Sequence, residues 1–344
     1  MKKRNFGKNQ KGESVTMYSF ENTNGMVMEV SNFGATLHSL FVPDKNGVLR
    51  DVVLGYDDLS RYENPKGTFF GATIGRNANR IQKGQFELNG KKYQLEINDQ
   101  KNNLHSGCDS YSFRVWNVKV ITENSITFFL HSPDGDQGYP GAVDIYVRYV
   151  LTDENEVRID YCAVPEEDTI LNFTNHSYFN LNGHDSGDVL EQEAWIDSDA
   201  FTPTDVELIP TGEIVSVEGT PMDFRVSKKL GKDIGVDYEA LKLGNGYDHN
   251  FALNNNGKLE KVAGLYSDES GIKMEVYTDL PGVQLYTGNF INNELGKNGV
   301  IYQQRQGVCF ETQYFPDAMN HDNFCSPIFR KGDEYKTTTI YKFI

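Results

Sequence analysis

The chain has 344 residues, of which 38% are hydrophobic and 12% aromatic, so it can bury a large core. A phosphate backbone would be repelled by its formal net charge of −16, and we therefore expect no nucleic-acid partner. No run approaches the roughly 18 apolar residues that span a bilayer, and the basic N-terminus lacks the apolar stretch of a signal peptide. Four widely spaced cysteines form no C-x-x-C pair. We expect a soluble, cytoplasmic protein with reduced thiols and no membrane contact.

Alternation of apolar and polar residues predicts strands along most of the chain. The Asn-Gly dipeptide occurs seven times, and it suits type I′ hairpin turns because both of its residues tolerate positive φ. Asn89-Gly90 is the clearest example, since apolar residues alternate on both sides of it. In chain order, the predicted hairpins cover residues 86–95, 116–131 and 143–164, and a further strand covers residues 272–278.

Helical periodicity is weak, and it indicates only short helical turns over residues 57–62 and 237–241. Many short strands with few helices predict an all-β fold, a large antiparallel β-sandwich. No linker-like stretch of low complexity divides the sequence. We therefore expect a single domain over residues 1–344.

Two of the seven histidines lie among residues that form hydrogen bonds. His105 belongs to the polar, turn-prone segment 102–107, whereas His176 lies within residues 172–181, where amides and hydroxyls surround it between aromatic residues. A histidine in a strand is more often structural than catalytic. The density of polar groups around these two nevertheless makes them candidates for a functional site.

Three charged residues are further candidates. Glu311 follows the apolar run 307–310, and a carboxylate in such a run is expected to face a pocket or a cation, because burying it alone is costly. Asp248 lies beside aromatic residues, where a loop cap or an ion pair is an equal interpretation. Arg80 can pair an acid or hold ligand hydroxyls, whereas for Arg76 we favour a structural salt bridge.

Several kinds of site are disfavoured by spacing. No H-x-H, H-E-x-x-H or cysteine pair indicates a metal site, so we expect no metal. Neither a phosphate-binding glycine loop nor a dinucleotide fingerprint is present, and no G-x-S-x-G elbow marks a serine nucleophile. Histidine, glutamate, aspartate and arginine among aromatic and amide residues remain, and that set suits acid–base chemistry on a neutral polyol.

A series of short motifs resembles the galactose mutarotase (aldose 1-epimerase) family, in order and over nearly the whole chain. The resemblance implies a large antiparallel β-sandwich of the galactose-mutarotase type, with a sugar in an open cleft on one sheet. After the first histidine, the chain has Ser106-Gly107 where family members often have two glycines. The matching segments are residues 32–35, 75–81, 103–105, 132–141, 174–181, 208–212, 247–251, 281–290, 311–313 and 316–318.

The resemblance also implies roles for individual residues. The family's general base corresponds to Glu311, its general acid to His176, and a second active-site histidine near the sugar's ring oxygen to His105. The implied partner is a small aldose such as galactose or glucose, bound without a cofactor by a monomer or homodimer. The implied substrate-binding or pocket-shaping residues are Asn79, Arg80, Asp248, Gln284, Tyr178 and Phe290.

The implied reaction opens the pyranose ring and recloses it on the opposite face of C1. Glu311 would remove the proton of the C1 hydroxyl while His176 protonates the ring oxygen, and reference pKa values of about 4.3 and 6.5 suit that division. Three alternatives remain open. A hexose-6-phosphate epimerase should have a basic cluster, a glycoside hydrolase more usually pairs two carboxylates, and a non-catalytic carbohydrate-binding protein would need neither an acid nor a base.

Overall fold

The computed structural model describes residues 1–65 and 67–344. Within them the α-helices are α1 (Leu59–Glu63) and α2 (Glu239–Leu243), which confirms both predicted helical turns. None of the helices in these residues combines the length and apolar character that a bilayer crossing requires. Short 3₁₀ turns lie at Gln82–Gly84, Tyr111–Phe113, Asp136–Gly138, Leu230–Lys232, Lys297–Gly299 and Ala318–Asn320.

Strands form most of the regular structure. The first half of the chain contains β1 (Lys2–Lys8), β2 (Ser14–Glu21), β3 (Val27–Ser31), β4 (Thr36–Pro43), β5 (Leu49–Asp51), β6 (Thr73–Ile74), β7 (Arg80–Ile81), β8 (Gln85–Leu88), β9 (Lys91–Gln94), β10 (Asn103–Leu104), β11 (Asn117–Ile121), β12 (Ser125–Ser132), β13 (Val143–Leu151), β14 (Glu156–Pro165), β15 (Thr169–Ile170) and β16 (Thr174–Asn175). The second half contains β17 (Glu193–Ile196), β18 (Ala200–Phe201), β19 (Val215–Ser216), β20 (Lys228–Lys229), β21 (Asp248–Ala252), β22 (Glu260–Tyr266), β23 (Lys273–Thr278), β24 (Gly282–Tyr286), β25 (Glu294–Leu295), β26 (Ile301–Tyr302), β27 (Cys309–Gln313), β28 (Ile328–Phe329) and β29 (Tyr335–Phe343).

The largest sheet has nine antiparallel strands in the order β11-β12-β13-β14-β29-β23-β22-β17-β20. The predicted hairpins are confirmed in it, with Ile121 opposite Ile126 across one turn and Leu151 opposite Val157 across the other. The smaller β8–β9 hairpin turns at Asn89-Gly90, where φ is 53° and 76°. Both angles are positive, as a type I′ turn requires.

A five-stranded sheet in the order β19-β18-β21-β24-β27 packs against the nine-stranded sheet, and β1 to β5 form a further sheet. Thr312 on β27 contacts Thr339 on β29, with 2.5 Å between their hydroxyl oxygens, and the main apolar core contains Phe310 and Val283 of the five-stranded sheet. The architecture is therefore a β-sandwich, as predicted.

The period-2 geometry of these strands separates core residues from site residues. Because Phe310 and Thr312 face the nine-stranded sheet, Cys309, Glu311 and Gln313 point to the opposite face. The same alternation holds in β24 and β21. The five-stranded sheet therefore presents a row of polar side chains on its outer face, and these begin the candidate site.

Candidate active site

A cleft of about 440 Å³, open to solvent at its mouth, lies over the outer face of the five-stranded sheet. It brings together eight of the nine predicted site residues, which come from distant parts of the chain; the exception is Gln284. The described residues that line it are Gly67, Phe69, Asn79, Arg80, Leu104, His105, His176, Tyr178, Asp248, Tyr286, Phe290 and Glu311.

Glu311 and His176 face each other at the base of the cleft. The distance from Oε1 of Glu311 to Nε2 of His176 is 3.6 Å, and their side chains are 3% and 5% exposed. That distance is too long for a hydrogen bond. The other carboxylate oxygen, Oε2, is buried without a hydrogen-bond partner among the described residues. Because an unsatisfied buried oxygen is costly, we interpret Oε2 as an acceptor for a ligand hydroxyl.

Burial sets the protonation of this pair. It raises the pKa of Glu311 well above its usual value, and the nearby carboxylate of Asp248 raises it further while Arg80 opposes the shift. Burial also lowers the pKa of His176 to about 3. Both shifts disfavour the charged forms. Between the two pKa values, the pair therefore holds one proton, and that proton resides mainly on Glu311.

His105 is held in one protonation form by backbone geometry. Asn79 adopts a left-handed conformation with φ of 64°, and its backbone N–H donates to Nδ1 of His105 at 3.1 Å. The backbone N–H of His105 donates in return to the carbonyl of Asn79 at 3.1 Å. A backbone N–H can only donate, so Nδ1 must accept and the ring hydrogen must lie on Nε2. Burial, with His176 and Arg80, lowers the pKa of His105 well below its usual value.

The ring of His176 lies between aromatic side chains. It stacks on Tyr178 with a centroid separation of 4.9 Å and on Phe69 at 5.7 Å. Its Nδ1 lies 3.5 Å from the sulfur of Cys309. Backbone hydrogen bonds to Ala72 and Gly71 hold the residue on both sides. The orientation of the Nε2 atom toward Glu311 is thus fixed by packing.

Two sets of hydrogen bonds orient the side chains of Arg80 and Asp248 in the cleft. Asp99 accepts a hydrogen bond from Nε of Arg80 at 2.8 Å. Gln284 donates to Oδ1 of Asp248 at 2.7 Å, and Gln313 donates to the side-chain oxygen of Gln284 at 3.2 Å. Gln284 therefore orients Asp248, and its predicted contact with a ligand stays a prediction.

The prediction for Arg76 is right about its structural role but wrong about its partner. Arg76 is fully buried, and its guanidinium donates to the carbonyl oxygens of Pro140 and Gly141 at 2.9 and 2.8 Å. It also donates to the hydroxyl of Ser132, which in turn donates to Asp136. A serine thus lies between the cation and the nearest acid.

Three donor atoms of His105, His176 and Glu311 lie within 4.8 Å of one another, a cluster that sequence spacing could not reveal because its members come from distant segments. The donor chemistry does not fit a metal. A neutral imidazole that binds a metal through Nε2 carries its hydrogen on Nδ1, whereas Nδ1 of His105 faces the N–H of Asn79. Nδ1 of His105 cannot bind a metal either, because it accepts the hydrogen bond from Asn79.

Sequence reasoning missed part of the site. The aromatic side chains of Phe69 and Tyr286 line the cleft, and Asp99 and Cys309 contact the side chains that do so. Tyr286 could have been found, because strand alternation places it on the same face as Gln284. Asp99 lies in a polar loop that carries no distinguishing signal.

Comparison with known proteins identifies close relatives. A family model described as aldose 1-epimerase matches residues 16–342. Galactose mutarotase of Homo sapiens is 43% identical over 317 residues, covering 92% of this chain and 90% of that protein, and aldose 1-epimerase of Haemophilus influenzae is 38% identical over 96% of both chains. The crystal structure of a GalM/aldose epimerase homologue from C. elegans superimposes with a TM-score of 0.88 at 31% identity, covering 95% and 98% of the two chains.

Proposed function

The chain belongs to the aldose 1-epimerase family of isomerases, and from that premise we propose that it interconverts the α and β anomers of free galactose or glucose with Glu311 as general base and His176 as general acid. The observation that carries the proposal is the buried pair at the base of the cleft. Its members lie 3.6 Å apart, and Oε2 of Glu311 has no partner among the described residues.

Before ring opening, the proton of the pair passes from Glu311 to Nε2 of His176, and ionised Glu311 then takes the proton of the C1 hydroxyl. The C1–O5 bond breaks as Nε2 of protonated His176 gives its proton to the ring oxygen, so the sugar becomes a neutral open-chain aldehyde. Rotation about C1–C2 exposes the other face of the aldehyde, and the two transfers then run in reverse. The pair holds one proton before and after ring opening. No electrons leave the sugar, and no outside group is transferred.

The two histidines receive different roles from their Nδ1 neighbours. His105 cannot take a second proton without losing the hydrogen bond from the N–H of Asn79, so it acts as a neutral donor through Nε2. His176 has no such fixed donor at Nδ1, where the sulfur of Cys309 can donate or accept. His176 is therefore the histidine that can gain and lose a proton.

The remaining groups suit a neutral sugar. Arg80, Asp248 and Asn79 offer donors and acceptors to hydroxyls, and the aromatic rings of Tyr178 and Phe290 supply apolar surface. Of the described lining residues, Arg80 is the one cation, and it is already paired with Asp99. A phosphorylated hexose would therefore find one cation already neutralised by Asp99, with the carboxyl groups of Asp248 and Glu311 beside it, which disfavours the hexose-6-phosphate alternative.

The binding-only alternative is disfavoured by the cost of the pair. A sugar-binding protein gains nothing from a buried glutamate whose pKa is raised and whose Oε2 lacks a partner among the described residues. Amide or hydroxyl groups would hold the same hydroxyls without that cost. The buried pair of Glu311 and His176 is therefore explained by transfer of a proton from the sugar, and not by binding of its hydroxyl alone.

Polarimetry on freshly dissolved α-D-galactose and α-D-glucose tests the proposed function. The protein should accelerate the approach to the equilibrium rotation in proportion to its concentration, with galactose 6-phosphate as a poor substrate. A protein that binds galactose by calorimetry but leaves the rate unchanged would support the binding-only alternative. Preference for galactose 6-phosphate would support the hexose-6-phosphate epimerase alternative.

The acid limb of the pH profile of kcat/KM should lie at lower pH than ordinary side chains would give. Unperturbed groups would confine the one-proton pair to the interval between about 4.3 and 6.5. Here the pKa of His176 is lowered to about 3, so the acid limb moves down, and the raised pKa of Glu311 sets the position of the basic limb. The limbs belong to the coupled pair. Background-corrected kcat/KM should keep its plateau value at about pH 4.5, and loss of half the activity near pH 4.3, the reference value for a glutamate, would contradict this assignment.

Exhaustive chelation should leave activity unchanged. The N–H of Asn79 occupies Nδ1 of His105 and opposes metal binding at its Nε2, so the cluster has no complete set of ligands. The check is mutarotation before and after dialysis against a strong chelator, followed by addition of divalent ions. Loss of activity that a metal restores would refute a protein-only acid–base site.

The domain organisation, localisation, oligomeric state and partners of the protein are proposals. We propose one domain over residues 1–344, supported by the position of the C-terminal strand β29 between β14 and β23 in the nine-stranded sheet. We also propose a cytoplasmic monomer or homodimer that acts on small aldoses. It should not bind nucleic acid, because a net charge of −16 repels a phosphate backbone.

A further inference from the structure

Cys309 contacts the proposed acid from behind. It opens β27, two residues before Glu311 and on the same face of that strand. Its side chain is fully buried, and its sulfur lies 3.5 Å from Nδ1 of His176, on the side of the ring opposite Glu311. It does not line the cleft, so a bound sugar would not touch it.

The thiol stays protonated in this position. Burial, followed by the carboxylates of Glu311 and Asp248, raises the pKa of the Cys309 thiol well above its usual value. A neutral thiol is a weak donor and a weak acceptor, and it tolerates an apolar setting. Tyr178 and Leu54 belong to the same apolar cluster, which suits a thiol better than a hydroxyl.

The direction of this contact decides which nitrogen of His176 can carry the transferred proton. If Nδ1 donates to sulfur, Nε2 has a free lone pair facing Glu311 and can accept its proton. If Nδ1 were forced to accept, as it is in His105, Nε2 would already hold the ring hydrogen. Proton exchange with a sugar through Nε2 requires the first arrangement.

We propose that Cys309 is a positioning residue whose sulfur accepts the Nδ1–H of His176 and so keeps Nε2 available for the proton that moves. The inference rests on the proposed acid role of His176. In the neutral resting ring, the hydrogen lies on Nδ1 and points at sulfur. When Nε2 takes up its proton, Nδ1–H keeps the same acceptor, so neither step requires the ring to turn.

Nitrogen-15 NMR of the histidine rings tests the tautomer directly, without any assay of turnover. At neutral pH, the parent protein should show His176 with hydrogen on Nδ1 and His105 with hydrogen on Nε2, a pair of opposite tautomers in one cleft. Selective loss of one set of signals in His176→Gln assigns them. An Nε2–H tautomer at His176 would overturn the proposal, even if the protein is an active epimerase.

Substitution of the thiol gives the second test. Cys309→Ala should lower kcat by about 2- to 13-fold, the worth of one hydrogen bond, while galactose affinity changes less than 2-fold. Cys309→Ser retains an acceptor and should recover most of the loss. The matched control is Cys162→Ala, a thiol on β14 that contacts Glu334, and it should match the parent.

The outcomes separate this proposal from the proposed function. Parent-like kinetics and pH dependence in Cys309→Ala would overturn the role of Cys309 and leave the epimerase intact. A serine variant as slow as a folded alanine variant would also overturn it, because packing alone would then explain the loss. A parent protein without mutarotase activity would defeat the proposed function, and the tautomer measurement would still decide the hydrogen bond.

Discussion

Glu311→Gln should lower kcat for galactose mutarotation by about 10²- to 10⁴-fold, the usual contribution of one positioned proton-transfer group. Glutamine keeps the shape and hydrogen-bonding reach of the side chain but cannot take the proton of the C1 hydroxyl. Galactose affinity measured by calorimetry should change little, because Asn79, Arg80 and Asp248 are untouched. Turnover by the folded variant at the parent rate would contradict the role of Glu311.

Asp248→Asn is the matched comparison, since it exchanges a second carboxylate in the same cleft for an amide. Asp248 is oriented by a hydrogen bond from Gln284 at 2.7 Å, and it acts on Glu311 through charge alone. Its loss should weaken galactose binding at least as much as turnover. A selective loss of kcat in Asp248→Asn, with parent-like activity in Glu311→Gln, would exchange the roles of the two acids.

Thermal melting shows whether Glu311→Gln is folded, and its pH dependence has a predicted sign. The pKa of Glu311 is higher in the folded protein than in the unfolded chain, so unfolding releases a proton from it. Its contribution to stability therefore falls as pH rises above about 4.3, until the folded-state pKa is passed. Glutamine does not titrate and so lacks this loss. The free energy of unfolding of the variant, relative to that of the parent, should therefore be higher at pH 8 than at pH 4.

His176→Gln should also lower kcat by about 10²- to 10⁴-fold, because the ring oxygen then leaves without a proton donor. His105→Gln is the control in the same cleft. It removes a neutral hydrogen-bond donor and leaves the acid–base pair in place, so we expect a smaller loss of kcat and the same shape of pH profile. Parent-like turnover in folded His176→Gln, with a large loss in His105→Gln, would show that His105, and not His176, is the acid.

Strand alternation made most of the fold predictable from the sequence. The hairpins around Asn89-Gly90 and over residues 143–164 follow from local patterns, because each strand pairs with its neighbour along the chain. The order of the nine-stranded sheet could not be read in this way. Its central strand β29 joins β14 and β23 through long-range pairing that leaves no local mark.

The site shows the same division between local and long-range information. Glu311 could be singled out because a carboxylate interrupts an apolar run, and strand alternation then places it on the outer face. The division of labour between His105 and His176 depends on the left-handed backbone of Asn79 and on the sulfur of Cys309, which come from other segments. Residue types alone therefore identify two histidines but do not distinguish their protonation.

The double variant Glu311→Gln/His176→Gln tests most directly whether the two side chains act as one acid–base pair. When two groups serve the same proton-transfer step, removing both costs about as much as removing the more important one. Polarimetry of α-D-galactose should therefore give the double variant a kcat close to that of the slower single variant. A double variant whose loss equals the product of the two single losses, with all three proteins folded, would show that Glu311 and His176 act independently.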